Sequence, residues 1–212
     1  GQGLDISKTM RTIKLTIAYE GTRYAGWQFQ KNALSIQEVI ETAVRKITGA
    51  KVSVIASGRT DAGVHAVAQI AHFKTRSAIP LDRLQMALNS ELPRDIVITQ
   101  VEEARGSFHA QHSAKSKLYR YTIVNNNFVD PLIRRHVAKV FFTLDVALMK
   151  KAARLIVGRH DFKAFQQLDE RRDEDSVRTV KAIRIRKEGD RISIDIEADG
   201  FLYNMVRNIV GT

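Results

Sequence analysis

The sequence predicts an α+β (α/β) fold of two similar subdomains, each with a mostly antiparallel mixed sheet and helices on one side. Three observations carry this. In the first half an alternating apolar run, a Gly-broken loop, a one-faced amphipathic segment and another apolar run follow one another. The second half loosely repeats that order. The chain's 212 residues, 44% of them hydrophobic, suffice for a real core in one large domain or two small ones. The sheets are expected to join, with a basic cleft between the subdomains. The expected boundaries are 10–106 and 107–212, with a linker near Ala104–Ala114. The opening GQGLDISKT shows no periodicity and is read as a tag remnant or disordered lead, with Met10 as the native start.

The elements follow in order. Ile13, Leu15 and Ile17 alternate with polar neighbours and mark a first strand. YEGTRYAGWQFQKNA is a Gly-broken aromatic loop. Ser35 caps a helix, and Glu38 three residues on completes a capping box. Ile36, Val39, Ile40, Ala43, Val44 and Ile47 make one helical face, and Gly49 stands where a helix stops. Val52 and Val54 lead as a strand into SGRTDAGVHA, and Val67–Phe73 reads as the next strand. A second helix runs from Pro80 to Asn89, with Leu81, Leu84, Gln85 and Leu88 on one side.

In the second half LYRYTIV, Leu118 to Val124, is a strand and NNNFVDP a loop. A helix from Asp145 to Val157 is expected to turn Leu148, Met149, Ala152, Leu155 and Ile156 inward and to stop at Gly158. Ile183 and Ile185, a turn at Glu188–Gly189–Asp190, and Ile192, Ile194 and Ile196 form a half-buried hairpin. QQLDERRDEDS, Gln166 to Ser176, reads as a charged solvated loop. FLYNMVRNIV closes the chain as a helix, with Tyr203 and Arg207 at i and i+4.

The charge is 34 basic against 23 acidic residues, +11. Through Gly106 there are 14 basic and 10 acidic residues, so +4, and the remainder carries +7. Both halves are basic, so the excess is not a detachable tail. That favours a polyanionic partner such as nucleic acid over an inert basic surface. No apolar run approaches the roughly 20 residues needed to cross a bilayer. No cysteine is present, which removes disulfides, thiolate metal sites and cysteine nucleophiles together, and fits a reducing compartment.

There is no P-loop, no GxGxxG after a strand and no GxSxG. His109 and His112 are three apart, without a carboxylate or cysteine pattern to support a metal. No close carboxylate pair suggests a glycosidase dyad. Asp61 in SGRTDAGVHA remains. By residue type alone it is more often a turn residue, bonded to backbone two positions on. Arg59, two residues before, can share its face in an extended segment and hold the carboxylate ionised and oriented. An ionised, oriented Asp is a usable nucleophile.

GRTDAGVHA resembles the signature of the pseudouridine synthase A family of tRNA-modifying enzymes. YEGTRYAGWQFQ, SIQEVIE, FHAQHSAKSKLYRY, GRHDFKAF and FLYNMVRNIVG resemble further motifs of that family, in family order, across nearly all of Met10–Thr212. The resemblance implies isomerisation of uridine to pseudouridine in the anticodon stem-loop of tRNA, without a cofactor, by a cytoplasmic homodimer. It implies Asp61 as the essential carboxylate, acting on the uracil ring, on the sugar or on a sugar proton. Arg59 matches the family arginine that contacts the RNA backbone or holds the flipped nucleotide. Tyr119 matches the tyrosine stacked on the target base, although on residue type alone Tyr119 and Tyr121 read as ordinary packing. Arg207 matches the arginine expected to pair with Asp61.

With RNA as partner, Lys115, Lys117, Arg120, Arg134 and Arg135 become candidate phosphate contacts, joined by Arg171, Arg172 and Arg178. Two departures stand out. Gln111 replaces the arginine that commonly follows F-H-A in the family, and relatives continue past Gly211–Thr212 with a further helix and strand. The rival reading is a non-catalytic tRNA-binding or tRNA-folding protein, which would keep the basic surface and need no Asp61.

Overall fold

A computed structural model describes residues 10–167 and 175–212. The lead before Met10, and Arg171 and Arg172 within the charged segment, lie outside the described residues. The chain divides into two compact units, Gly1–Ala114 and Lys115–Thr212.

The first unit contains β1 (Arg11–Tyr19), a 3-10 turn (Gly21–Arg23), α1 (Ile36–Thr48), β2 (Ile55–Ala56), β3 (Ala66–Thr75), α2 (Leu81–Glu91) and β4 (Ile96–Ala104). Its sheet runs β2-β3-β1-β4 and is antiparallel at every pairing. Ile13, Leu15 and Ile17 alternate on the inner face of β1 and lose all solvent contact against α1 and α2. Each such side chain contributes about 1.5–3 kcal/mol. At the start of α1 the Ser35 hydroxyl accepts from the Glu38 amide at 3.2 Å. Gly49 ends the helix at φ 71, where its amide donates to the Arg45 carbonyl. α2 is tied to β4 by side-chain amides. Gln85 and Asn89 both donate to the Ile98 carbonyl, and Asn89 Oδ1 accepts from the Ile98 amide.

Two elements depart from the sequence reading. The strand expected from Val52 shrinks to Ile55–Ala56, although Val54 is fully buried. β4 was not expected, because a bulge breaks its alternation. Ile98 pairs with Ile17 and Gln100 with Thr16, so Thr99 is an extra residue and Val101, not Gln100, returns to the core face opposite Leu15. Residues of the expected linker pack within this unit. Ala110 is buried, and its amide donates to His72 Nδ1 on β3 at 3.2 Å.

The second unit contains β5 (Lys117–Val124), β6 (Ala138–Lys139), α3 (Val146–Ile156), β7 (Gly158–Asp161), a 3-10 turn (Lys163–Phe165), β8 (Val177–Glu188), β9 (Arg191–Ala198) and α4 (Met205–Gly211). Its sheet runs β6-β5-β9-β8-β7, with β5 and β6 parallel and the other pairs antiparallel. The β8–β9 hairpin turns at Gly189, whose φ of 57 suits a residue without Cβ. Ile192, Ile194 and Ile196 form the inner face of β9, packed with Met205, Val206 and Ile209 of α4.

The inward set expected for α3 is corrected. Val146, Met149 and Ile156 meet the core, whereas Leu148 and Leu155 are 62% and 78% exposed and Ala152 is also exposed. A helix of three turns lying on β8 offers the sheet one narrow stripe, and Leu148 and Leu155 stand outside it. The closing helix is shorter than expected. Asn204 takes a left-handed φ of 56, and α4 begins only at Met205. Tyr203 therefore precedes the helix and does not share a helical face with Arg207.

Candidate catalytic corner

The chain leaves β2 at Ala56 and reaches β3 through Ser57–His65, and both sides of this path are pinned. On the β3 side the Ser57 amide donates to the Ile70 carbonyl at 2.7 Å and its hydroxyl to Gln69 Oε1 at 2.8 Å. Gln69 Nε2 returns a bond to the Gly58 carbonyl at 2.7 Å. A bulge between the Ile17 and Tyr19 pairings turns the start of β3 at this point. The Val64 amide donates to the Asp61 carbonyl at 3.1 Å, closing a turn in which Gly63 takes φ 76.

The aromatic loop pins the other side. The Trp27 amide donates to the Thr60 carbonyl at 3.0 Å, and the Tyr19 hydroxyl bonds Thr60 Oγ1 at 2.8 Å. The Gly63 amide donates to the Tyr24 carbonyl, and the Gly21 amide to His65 Nδ1 at 2.9 Å. Burial pushes the Tyr19 phenol above its ordinary pKa, although bonds to Thr60 and Gln69 oppose this. The Tyr24 phenol is pushed up by burial and by its 2.7 Å bond to the Asp95 carboxylate. Both therefore stay protonated and keep their hydrogen bonds at neutral pH.

Two glycines permit this approach. A Cβ on Gly21 would fall 1.9 Å from the Val64 carbonyl oxygen. One on Gly26, at φ 92, would fall 2.5 Å from the Thr60 oxygen and 3.1 Å from the Asp61 carbonyl carbon. The loop thus lies against the backbone of Thr60 and Asp61 with no room for a side chain. The corner holds a half-buried Asp61 with Arg59 exposed two residues before it. This turn is closed by the main-chain oxygen of Asp61 and the amide three residues on, a different bond from the side-chain turn expected for an Asp.

In the second unit Tyr119 pairs with Ile196 and so lies on the core face of β5, its ring edge-on to Phe201 with centroids 4.9 Å apart. Arg207 is exposed on α4. Lys117 is half-buried; burial lowers its pKa, the Arg178 charge acts the same way and Asp199 opposes both. Lys115, Arg134 and Arg135 are exposed. Arg178 donates to the Asp175 and Val177 carbonyls. Arg120 lies on the outer face of β5 and grips Asp195 through Nε at 2.7 Å and Nη2 at 2.9 Å. Within the first unit His72 meets His109 edge-on and His109 lies tilted against His112, with ring centroids 4.9 and 4.2 Å apart. Among the described residues, no helix is long and apolar enough to cross a membrane.

Sequence reasoning missed the supports Tyr19, Thr60 and Gln69. Their partners are far along the chain; the usable signal was the pair Gly21 and Gly26, two glycines in a loop rich in aromatic residues.

A family profile described as tRNA pseudouridine synthase matches residues 15–113 and 152–212. The tRNA pseudouridine synthase A of Thermoanaerobacter sp. (strain X514) is 48% identical over 203 residues, 96% of this chain and 83% of that protein. The tRNA pseudouridine synthase A 2 of Clostridium perfringens (strain 13 / Type A) is 50% identical over the same shares. That of Brevibacillus brevis (strain 47 / JCM 6285 / NBRC 100599) is 45% identical. A profile match on both sides of the unit boundary, with near-half identity over almost the whole chain, leads to one conclusion: this chain belongs to the tRNA pseudouridine synthase family.

Proposed function

We propose that this chain isomerises uridine to pseudouridine in the anticodon stem-loop of tRNA at the Asp61 corner. The reaction breaks the bond from N1 of uracil to C1′ and forms one from C5 to C1′. C5 loses a proton and N1 gains one, so atoms balance and no redox step is needed. Asp61 is the essential carboxylate. The observation that carries the reading is the corner itself, an Asp held from both sides by main-chain bonds and two obligatory glycines. Such fixing is what a reaction limited by orientation requires.

Arg59, two residues from Asp61, contacts the RNA backbone or holds the flipped nucleotide, Tyr119 stacks on the target base and Arg207 is a further catalytic residue. Extruding a base from a stem costs a few kcal/mol, which cationic contacts to phosphate must offset. The net charge of +11 supports that role, with Lys115, Lys117, Arg120, Arg134 and Arg135 as contacts. Two copies act together, in the cytoplasm. Mapping pseudouridine on an unmodified tRNA transcript after incubation with the protein tests the reading, and product confined to the anticodon arm is expected. Tight binding with no pseudouridine would overturn it in favour of a tRNA-binding protein.

A further inference from the structure

The outer face of the second sheet carries an ordered row of cations. Residues directly opposite one another across antiparallel strands share a face, so Arg120 on β5, Asp195 on β9 and Arg184 on β8 stand side by side. Arg186 lies two residues along β8 from Arg184, on the same face. The Asp195 carboxylate is buried although it points away from the apolar core, because arginines cover it. Arg120 binds it through two nitrogens, and Arg186 Nη1 lies 3.7 Å from it. Arg184 approaches Glu197 at 4.0 Å, and Glu197 also accepts from the Ser116 hydroxyl.

Solvent meets the guanidiniums far more than Asp195. Side-chain exposure is 57% for Arg120, 55% for Arg184 and 56% for Arg186, against 5% for Asp195. The hydrogen bonds from Arg120 and the charges of the three arginines hold the Asp195 carboxyl below its ordinary pKa against burial, so its charge persists. A buried carboxylate of this kind contributes little to fold stability, since desolvation offsets the attraction. It does fix arginine side chains that would otherwise lose rotamer freedom on binding. Neighbouring strands are about 4.8 Å apart, so Arg120 and Arg184 are based roughly 10 Å from one another across β9.

We propose that Arg120 and Arg186, anchored by Asp195, and Arg184 beside Glu197 form a phosphate-binding surface for an RNA strand on the outer face of the second sheet. It rests on the tRNA reading above and extends it, because Arg184 and Arg186 are not among the residues assigned there. Asp195 is a positioning residue that touches no RNA. A planar guanidinium offers donors in a fork matched to phosphate oxygens, and the fixed row binds with little further ordering.

The test compares two charge-matched double variants of the full chain, each two positive charges below wild type. R184Q/R186Q alters the outer face. K150Q/R154Q alters α3, which lies on the opposite face of the same sheet. Unmodified tRNA transcript is titrated with each protein from about 0.05 to 0.2 M salt, and folding is verified by thermal melting. The expected result for R184Q/R186Q is binding weakened roughly tenfold or more at 0.1 M salt, with the log–log salt slope reduced by about 2. K150Q/R154Q should keep the wild-type slope. Equal slopes for wild type and R184Q/R186Q, or equal loss in both variants, would overturn the proposal. The two readings fail separately: a wild type that binds through this face yet makes no pseudouridine removes the reaction and leaves the surface. A wild type that makes pseudouridine while R184Q/R186Q binds normally removes the surface and leaves the reaction.

Discussion

Gly26→Ala is the most informative substitution, because it changes one methyl group and touches no proposed catalytic side chain. The new Cβ would sit 2.5 Å from the Thr60 oxygen, where ordinary contact begins at 3.4 Å. One backbone must therefore retreat by about 0.9 Å. The obstacle is main chain, so no side-chain rotation relieves it. The residue must also keep a φ of 92, which costs alanine about 1–2 kcal/mol. Retreat of the loop lengthens the bond from the Trp27 amide to Thr60, worth about 1 kcal/mol. Together these give roughly 2–3 kcal/mol, a drop of about 10 °C in melting temperature for units of this size. Retreat of the corner instead displaces Asp61 by nearly 1 Å, a misplacement that can lower kcat on the order of 100-fold. The assay is pseudouridine formation at saturating tRNA, paired with a thermal melt of the same preparation. Wild-type melting with wild-type kcat would refute the claim that this contact holds the corner.

Tyr19→Phe removes the hydroxyl bonded to Thr60, leaving that oxygen short of a partner; a loss of about 1–2 kcal/mol in urea unfolding is expected, with lowered turnover. Ser35→Ala removes the α1 cap and should cost about 1 kcal/mol in the same assay, while turnover of the folded protein stays at the wild-type level. His72 makes stability depend on pH. Burial, reinforced by His109, lowers its folded pKa below the ordinary 6.5, so it folds neutral, with Nδ1 accepting from Ala110. The unfolded chain takes up the proton first as pH falls below 6.5, so this contribution is present above 6.5 and is lost as pH falls toward the folded pKa. Urea midpoints at stepped pH should show that loss in wild type and a shallower one in His72→Gln; matching slopes would contradict it.

Much of this fold was legible because its signals are local. The period of Ile13, Leu15 and Ile17 and the Ser35 and Gly49 caps each depend on a few adjacent residues. The failures have several causes. β4 was missed because the extra residue Thr99 throws its alternation out of phase. Leu148 and Leu155 looked inward because helical spacing shows that an apolar stripe exists, not how wide a stripe the sheet can cover. The closing helix was extended too far because the left-handed turn at Asn204 has no glycine to announce it. At the corner, motif and chemistry pointed to Asp61, but its supports could not be read: Tyr19 meets Thr60 across 41 residues. The anchor of Arg120 could not be read for the same reason, since Asp195 lies 75 residues away.

The central claim is that the Asp61 carboxylate performs the isomerisation. The direct test compares wild type with Asp61→Asn on an unmodified tRNA transcript, scoring pseudouridine by nucleoside chromatography and tRNA affinity in parallel. Asparagine keeps the shape and removes the charge. The account predicts pseudouridine from wild type alone, with tRNA affinity retained in both. Pseudouridine from Asp61→Asn at the wild-type rate would contradict it and leave Asp61 as a turn residue.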